Sequence, residues 1–428
     1  MTLLVADNLA LHSMLGFAEG FTANFPCRIC HAHRSLIHIQ TEEDSSLLRN
    51  KLQHDIDCKI GNVSLTGVSG EFVLNEVETF EVTDNPSVDI MHDIFEGTCI
   101  YDMGHILYQL IFVKKYFTVE TLNFRLITFN YDKTITNKPT EFKEKALRTK
   151  SVKMTASEMR TFVRIFVLLV GDLVPDNDPI WKFYLILLDI IEIVLCRQMQ
   201  KEMIKILKER ISEHHRLYVI LFQDTLKPKH LHMVHYPSIL SRSGALVNLA
   251  CDRFEANHQP AVQDAKATRS RKNIAFTLAL KQQLRCAYRF MTRKGLHTLL
   301  EVGPEEKPDY YNSLLLPISF SNGFMQHAFV IFKGTLYKKG MCVAIGVDDD
   351  NGPEFGIISS VLVNHNGTVC LMCNVLSCTM YSEHFHAYNV TKTAKIISIL
   401  VTDLLDYLPL LFCKSNDGKQ YVTLHHLL

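Results

Sequence analysis

The sequence predicts an α+β fold in which a long helical part is followed by a small β-rich domain. Residues 88–225 place apolar side chains at helical spacing over most of their length. Residues 315–428 are rich in β-branched residues instead, and they contain the hairpin-type pairs Asn366-Gly367 and Asp417-Gly418. We therefore expect the helices first and a small barrel-like or sandwich-like sheet last.

Helix signals and changes of composition divide the chain into four segments. Thr155 and Glu158 have the spacing of a capping box, in which each side chain bonds the other residue's backbone N–H, so a helix should begin after Thr155. The apolar run Trp181–Cys196 predicts a second, buried helix. The predicted segments are 1–87 with a Cys-x2-Cys motif, 88–225 all-helical, 226–300 with a histidine-rich loop and helices, and 315–428 β-rich.

The composition excludes several classes of protein. Lys and Arg number 45 and Asp and Glu also number 45, so the chain lacks the basic excess of proteins that coat nucleic acid non-specifically. Lys182, Asp189 and Glu192 interrupt the longest apolar run, which is not the pattern of a membrane span. The N-terminus has no basic segment before its short apolar run, so we expect a nuclear or cytoplasmic protein that is not secreted. Its 12 cysteines should then bind metal or fill the core.

Two short motifs predict a zinc site. Cys27-x2-Cys30 can supply two sulfur donors from one tight turn, and His230-x4-His235 has the spacing of the histidine half of a Cys2His2 site. The two halves lie about 200 residues apart, so they would join remote parts of one domain rather than form a zinc finger. A pair of buried cysteines and a loop of solvated histidines are the alternatives that the spacing leaves open.

Two carboxylates are candidates for a magnesium site. Asp7 ends the apolar run Leu3–Ala6, which has the length of a buried strand, and Glu255 lies in a segment with helical spacing. Carboxylates in such positions can hold Mg²⁺ ions that activate water for phosphodiester cleavage. Asp7 as a turn residue and Glu255 as a solvated helix residue are the alternatives.

Asp89 and His92 form a further candidate pair, spaced to lie on one face of a helix. They could orient an active site or approach a metal ion. The alternative is an ordinary helix start, because acidic residues in a first helical turn are favoured by the helix dipole.

Basic residues cluster after Glu255, and those in the following helix recur every four residues. A stripe of this kind can follow a phosphate backbone, and it is equally typical of the solvated face of a helix. The candidate DNA-binding residues are Lys266, Arg269, Arg271, Lys272, Lys281 and Arg285.

The order of these motifs resembles that of DDE transposases of the CACTA and Chapaev-like group, which have an RNase H-like fold. The resemblance covers roughly residues 1–295 and is carried by three blocks: Ala6-Asp-Asn-Leu-Ala-Leu-His-Ser-Met-Leu-Gly-Phe17, Ser87-Val-Asp-Ile-Met-His-Asp-Ile-Phe-Glu-Gly97 and Arg253-Phe-Glu-Ala-Asn-His258. It implies that Asp7 is the second catalytic acid and Glu255 the third. It also implies that Cys27, Cys30, His230 and His235 are structural zinc ligands and that Asp89 and His92 match a D-x2-H block between the acids.

The resemblance further implies a truncated RNase H-like core with a large all-helical insertion. The family's first catalytic Asp lies on a strand well before the second acid, whereas Met1 is only six residues before Asp7. We therefore expect a transposase-derived protein whose ancestral chemistry was Mg²⁺-dependent DNA cleavage and strand transfer, and which is inactive in this form. The alternatives are a zinc-stabilised interaction or nucleic-acid-binding protein without catalytic activity, and an incomplete gene product whose missing part would restore the enzyme.

Overall fold

A computed structural model describes most of the chain, and the described residues form two compact units. The first unit contains Met1–Phe129 and Asn137–Asp252, and the second contains Asn130–Thr136 and Arg253–His426. The four predicted segments are a finer division than these two units and stay a prediction. The described residues are 3–85, 87–131, 135–256, 258–292, 299–307, 315–348, 352–415 and 418–427.

The first unit is mainly helical, and several of its helices begin at the residues that the sequence marks. The capping box of Thr155 and Glu158 is formed at the start of α8, and Asp178 caps α9 with Pro179 in its first turn. Two stretches of π-helix, Met91–Thr98 and Gln109–Val113, flank α5. The helices are α1 (Asn8–Met14), α2 (Arg34–Ile37), α3 (Lys51–Ile60), α4 (Val63–Thr66), α5 (Cys99–Tyr108), α6 (Val119–Thr128), α7 (Glu144–Arg148), α8 (Ala156–Val170), α9 (Pro179–Leu195), α10 (Glu202–Phe222), α11 (Pro228–Val234) and α12 (Tyr236–Ser243).

Helices α8 and α9 form the centre of this unit because both are apolar on most of their surface. Phe166 packs edge-on against Tyr184, and both rings are fully buried. The Tyr184 hydroxyl donates to the carbonyl of Val163 at 2.6 Å and accepts from the N–H of Val167 at 3.0 Å. Among the described residues, no helix has both the length and the apolar character that crossing a bilayer requires.

Two predictions for the first unit are wrong. The run Leu3–Ala6 forms no strand, and the backbone of Leu4 instead exchanges two hydrogen bonds with the side chain of Asn85. The histidine-rich stretch is not a loop, because α11 begins at Pro228, whose fixed φ suits the first turn of a helix. Between residues 3 and 252, the described part contains isolated bridges but no strand, so the predicted RNase H-like sheet is not seen there.

The second unit combines three helices with antiparallel sheets, as the α+β prediction requires. Six strands form a closed sheet in the order β7-β6-β10-β11-β9-β8, because β8 pairs back to β7, and β3 with β2 extends the sheet from β7. A separate sheet has the order β1-β4-β5. The elements are α13 (Asp252–Ala256), α14 (His258–Ala267), α15 (Ile274–Met291), β1 (Leu300–Val302), β2 (Glu305–Glu306), β3 (Phe324–His327), β4 (Phe329–Phe332), β5 (Thr335–Lys338), β6 (Cys342–Val347), β7 (Pro353–Asn364), β8 (Val369–Ser382), β9 (Ala387–Leu400), β10 (Asp406–Lys414) and β11 (Gln420–Thr423).

The turn between β7 and β8 is the predicted Asn366-Gly367 hairpin. Gly367 has a φ of +77°, a left-handed conformation that glycine adopts without steric cost. The Asn364 N–H donates to the carbonyl of Thr368 across the turn at 3.1 Å. The second predicted hairpin pair includes Asp417, which lies outside the described residues, although β10 and β11 on either side of it do pair antiparallel.

We predict that Thr155→Ala destabilises the first unit by about 1 kcal/mol, because the hydrogen bond that the Glu158 N–H donates to the Thr155 hydroxyl is lost. The measurement is thermal unfolding followed by circular dichroism in the helical region. Thr161→Ala is the control, since its hydroxyl bonds only a carbonyl inside the same helix. Equal stability losses in the two variants would show that the capping box contributes nothing.

Candidate metal centre

The first half of the centre is the turn that contains Cys27 and Cys30. Both thiols are buried, each at 1% exposure. The backbone N–H of Ile29 donates to Cys27 Sγ at 3.3 Å, which turns this sulfur back toward the chain that follows it. Cys30 forms an isolated bridge with Leu48, so a second segment holds the end of the turn in place. The turn therefore presents two sulfur atoms to the interior of the first unit.

The second half is His235, which directly follows α11. Its Nε2 lies 3.7 Å from Cys27 Sγ, although the two residues are 208 positions apart in the sequence. Donor atoms of Cys27, Cys30 and His235 all lie within 4.8 Å of one another. Apolar side chains, including Ile37 and Leu231, pack beside the two cysteines and shield them from water. These three donors could hold a metal ion, and their chemistry is compatible with zinc.

The protonation of this cluster follows from its geometry. Burial opposes ionisation of Cys27, but a hydrogen bond from Cys30 and the charge of His235 outweigh it and hold the pKa of Cys27 well below its usual range. The hydrogen bond to Cys27 and burial raise the pKa of Cys30. Burial lowers the pKa of His235, but Cys27 and Glu43 outweigh this and raise it to about 9. Both shifts favour a thiolate on Cys27 beside a protonated His235.

Glu43 fixes the orientation of the His235 ring. A carboxylate oxygen of Glu43 lies 2.6 Å from Nδ1 of His235 and also accepts a hydrogen bond from Ser238 at 2.8 Å. Because Nδ1 is engaged in this way, Nε2 is the nitrogen that faces the sulfur atoms. Metal-binding histidines typically have a carboxylate or carbonyl on their second nitrogen. No spacing pattern in the sequence points to Glu43, because it lies in a loop outside both motifs.

His230, the other predicted ligand, lies elsewhere in the first unit. Its Nδ1 accepts the backbone N–H of Lys227 at 3.0 Å, and its Nε2 lies 3.5 Å from a carboxylate oxygen of Asp102. Both ring nitrogens are therefore engaged away from the cysteines. A separation of five residues explains this, because His230 and His235 would lie about 140° apart around an α-helix of 3.6 residues per turn.

His232 lies beside the cluster and has the same kind of support as His235. Its Nδ1 is 2.8 Å from a carboxylate oxygen of Asp93, and its side chain is 1% exposed. Asp93 also accepts hydrogen bonds from Asn8 at 2.7 Å and from the hydroxyl of Tyr236 at 3.2 Å. The charge of His232 is among the influences that lower the pKa of Cys27. His232 thus lies within electrostatic reach of Cys27 with its Nδ1 held by Asp93, although it is outside the group of three donors that lie within 4.8 Å of one another.

The two predicted catalytic acids lie in different units. Asp7 caps α1, and its carboxylate accepts the backbone N–H of Ala10 at 2.8 Å. Glu255 is an exposed residue of α13 in the second unit. In the described part of the chain, the group identified as able to hold a metal is the Cys27, Cys30 and His235 cluster, so a magnesium site has no structural support.

Asp89 and His92 do meet, as their spacing predicts. Nδ1 of His92 forms a short hydrogen bond with a carboxylate oxygen of Asp89, which is completely buried. The other oxygen of Asp89 accepts the N–H of Met91 at 3.1 Å and of Cys251 at 3.0 Å. Asp89 thus caps the start of the π-helix and ties it to the segment before α13. These contacts give the pair a structural role.

The predicted DNA-binding residues fall into two groups. Lys281 and Arg285 of α15 form ion pairs with Asp264 of α14, at 3.7 Å and 2.7 Å. Part of the predicted basic stripe therefore joins two helices of the second unit. The other group is exposed at the end of α14 and in the loop that follows it, and consists of Lys266, Arg269, Arg271 and Lys272.

Comparison of the chain with models of protein families finds no match, and comparison with curated proteins finds none. The site must accordingly be interpreted from its own chemistry.

We predict that Asp93→Asn destabilises the first unit by about 2 kcal/mol at neutral pH, because a buried charged acceptor is lost. Burial opposes ionisation of Asp93, but the charge and hydrogen bond of His232 outweigh it and lower the pKa of Asp93 below 3.8. Its contribution is therefore complete above pH 3.8 and is lost as pH falls through the lowered native pKa. Urea unfolding at several pH values measures this.

The exposed Asp55 supplies the control variant, Asp55→Asn. The stability gap between wild type and Asp93→Asn should narrow in acid, whereas Asp55→Asn should stay close to wild type throughout. A gap of constant size down to pH 2 would contradict the assigned charge state of Asp93.

Proposed function

We propose that this chain is a transposase-derived protein of the CACTA and Chapaev-like group, stabilised by one structural zinc ion and without DNA-cleaving activity. The observation that supports it is the meeting of Cys27 and Cys30 with His235 across 208 residues. A tetrahedral ion at this point would join two segments that are otherwise remote in sequence. The resemblance of the motif order to that group supplies the rest of the proposal.

The donor set fits zinc better than magnesium. Two sulfur atoms and an imidazole nitrogen are the ligands that Zn²⁺ takes in structural sites, whereas Mg²⁺ requires oxygen donors. The Cys27 thiol is already biased toward the thiolate that a metal needs, because its pKa is lowered despite burial. When bound, zinc would supply a permanent cross-link and no chemistry. This role corresponds to a closed structural site.

His232 is the fourth donor that we propose. His235 follows it three positions later, a spacing that places two side chains on one side of a helix. Both histidines have a carboxylate on Nδ1, at 2.8 Å from Asp93 for His232 and at 2.6 Å from Glu43 for His235. Both rings can therefore offer Nε2. The ligand pattern proposed is H-x2-H in place of the H-x4-H that the sequence spacing suggested.

The absence of DNA cleavage is proposed from the acids. A two-metal mechanism needs carboxylates that converge on the ions. An oxygen of Asp7 already accepts a hydrogen bond from the N–H of Ala10 and thereby caps α1. Glu255 is an exposed residue of a short helix. Neither position has the buried, converging carboxylates of a cleavage site.

A second candidate function is the binding of DNA by the second unit. The observation that favours it is the exposed basic group between α14 and α15, in which four cations lie within seven residues. Such a group can displace counterions from a phosphate backbone. Its members are Lys266, Arg269, Arg271 and Lys272.

We predict that the purified chain binds about one zinc ion, because the donor set is that of one tetrahedral site. Cys27→Ser and His235→Ala should each lose most of the zinc and lower the unfolding temperature. Atomic emission spectroscopy on dialysed protein measures the metal. Cys286→Ser is the matched control, because Cys286 lies in α15 and should not affect the zinc content. Full zinc occupancy in Cys27→Ser would refute the proposed centre.

We predict that replacing Lys266, Arg269, Arg271 and Lys272 by Ala weakens double-stranded DNA binding and flattens its salt dependence. Loss of about four phosphate contacts should reduce the slope of log K against log salt by roughly 3 to 4. Lys281→Ala with Arg285→Ala is the control, because those two cations form ion pairs with Asp264 inside the second unit. Unchanged affinity in the fourfold variant would remove the second candidate function.

The same protein preparations test the absence of cleavage. We expect supercoiled plasmid to stay intact with Mg²⁺ for wild type and for Glu255→Ala alike. Magnesium-dependent nicking by wild type that disappears in Glu255→Ala would contradict the proposal and would restore the enzyme.

A further inference from the structure

Four buried polar residues of the first unit form a hydrogen-bonded chain that the metal centre does not use. Asp102 comes from α5, His214 and His215 from α10, and His230 from α11. All four are completely buried. Aromatic rings cover them, with Phe183 stacked on His214 at 4.5 Å between ring centroids. Burying polar groups costs free energy unless each of them is hydrogen-bonded. Each ring nitrogen of this set should therefore have a partner, and the partners determine which nitrogen carries a proton.

The contacts of His230 determine which of its ring nitrogens carries a proton. Nδ1 of its ring accepts the backbone N–H of Lys227 at 3.0 Å, so that nitrogen carries no proton. The ring must then be protonated at Nε2, which donates to a carboxylate oxygen of Asp102 at 3.5 Å. His230 therefore has one proton and no free lone pair for a metal.

The chain continues through α10. Nε2 of His215 lies 2.8 Å from the carbonyl oxygen of His230 and must donate to it. Burial lowers the pKa of His215, so the ring is neutral and its Nδ1 accepts. The structure places Nδ1 of His214 next to that atom as its donor, at 3.1 Å. The donor and the acceptor are thus determined for the bond between His215 and His230 and for the bond between His214 and His215.

The chain closes on Asp102. Nε2 of His214 lies 2.9 Å from the second carboxylate oxygen, and that contact requires one proton between the two atoms. Burial raises the pKa of Asp102, but the charge and hydrogen bonds of His214 and His230 outweigh it and lower the pKa to about 2. Asp102 is accordingly ionised and accepts a hydrogen bond from each of the two rings.

These hydrogen bonds hold α11 at His230 through two contacts. Nε2 of the His230 side chain bonds Asp102, and the His230 backbone carbonyl bonds His215. His235, five residues later, lies about 140° further around the helix axis. One side of the segment is therefore held by the buried chain, while the opposite side faces the cysteines. A rotation of α11 that broke the first contact would also withdraw His235 from Cys27.

We propose that Asp102, His214, His215 and His230 are positioning residues that fix the rotation of α11 and thereby aim His235 at Cys27 and Cys30. The proposal rests on the zinc centre proposed above. It also reassigns His230 from metal ligand to support. Outer supports of metal sites typically change metal affinity by 10- to 100-fold when they are removed, although they do not contact the ion.

The test compares two substitutions of Asp102. Asp102→Asn keeps every hydrogen bond, because its oxygen accepts from His230 and its amide donates to a neutral His214. Asp102→Leu breaks both bonds. We expect zinc affinity, measured by chelator competition, to stay within about threefold of wild type for Asp102→Asn and to fall by about tenfold or more for Asp102→Leu. Wild-type affinity in Asp102→Leu, or equal losses in both variants, would overturn the proposal.

Tyr184→Phe controls for general destabilisation, because it removes buried hydrogen bonds between α8 and α9. It should lower the unfolding temperature and leave zinc affinity unchanged. Equal loss of zinc affinity in Tyr184→Phe and Asp102→Leu would overturn the positioning role.

Two further readouts separate this proposal from the zinc centre itself. Cobalt-loaded His230→Gln should keep the wild-type absorption bands at reduced affinity, whereas a changed spectrum would make His230 a ligand and overturn its reassignment. If wild type binds no zinc at all, the proposed zinc centre is refuted. Amide hydrogen exchange over residues 228–235 then tests the positioning role by itself. Faster exchange in Asp102→Leu than in Tyr184→Phe supports the positioning role, and equal exchange overturns it.

Discussion

The first unit depends on one long-range contact, between the thiolate of Cys27 and the imidazole of His235. Loop closure between residues 208 apart costs conformational entropy, and apolar side chains pack beside the cysteines at the point where the loop closes. A tetrahedral ion would offset that cost because metal binding free energy becomes folding free energy when the site exists only in the folded chain. The carboxylates of Glu43 and Asp93 support the same contact. They bond Nδ1 of His235 and of His232, which leaves Nε2 of each ring as the nitrogen that can face the sulfur.

The elements that local patterns encode were predicted well from the sequence. The capping box at Thr155, the apolar helix α9 and the Asn366-Gly367 hairpin all depend on neighbouring residues, so their signals lie within a few positions. The α+β class and the order of helical region and β-rich domain followed from the same signals. The prediction of a strand at Leu3–Ala6 was wrong because a strand needs a partner strand. The backbone there bonds the side chain of Asn85 instead.

The candidate site was predicted in part. Cys27, Cys30 and His235 meet as their motifs suggested, because a Cys-x2-Cys turn is a local structure with few geometries. The choice among the three histidines in and directly after α11 could not be predicted from the sequence, since it depends on where Asp93 and Asp102 lie in the fold. H-x4-H spacing describes donors on a loop, whereas a helix turns residues five apart to different sides. Carboxylates that support a histidine from another part of the fold leave no mark in spacing, and the contacts of Glu43, Asp93 and Asp102 with the histidines were therefore not predicted.

X-ray absorption at the zinc edge on the zinc-loaded protein tests the central contact most directly, because it counts sulfur and nitrogen neighbours of the ion. The account predicts two sulfur atoms at about 2.3 Å and two imidazole nitrogens at about 2.0 to 2.1 Å. A first shell of oxygen and nitrogen alone would place the ion away from Cys27 and Cys30. That result would contradict the account.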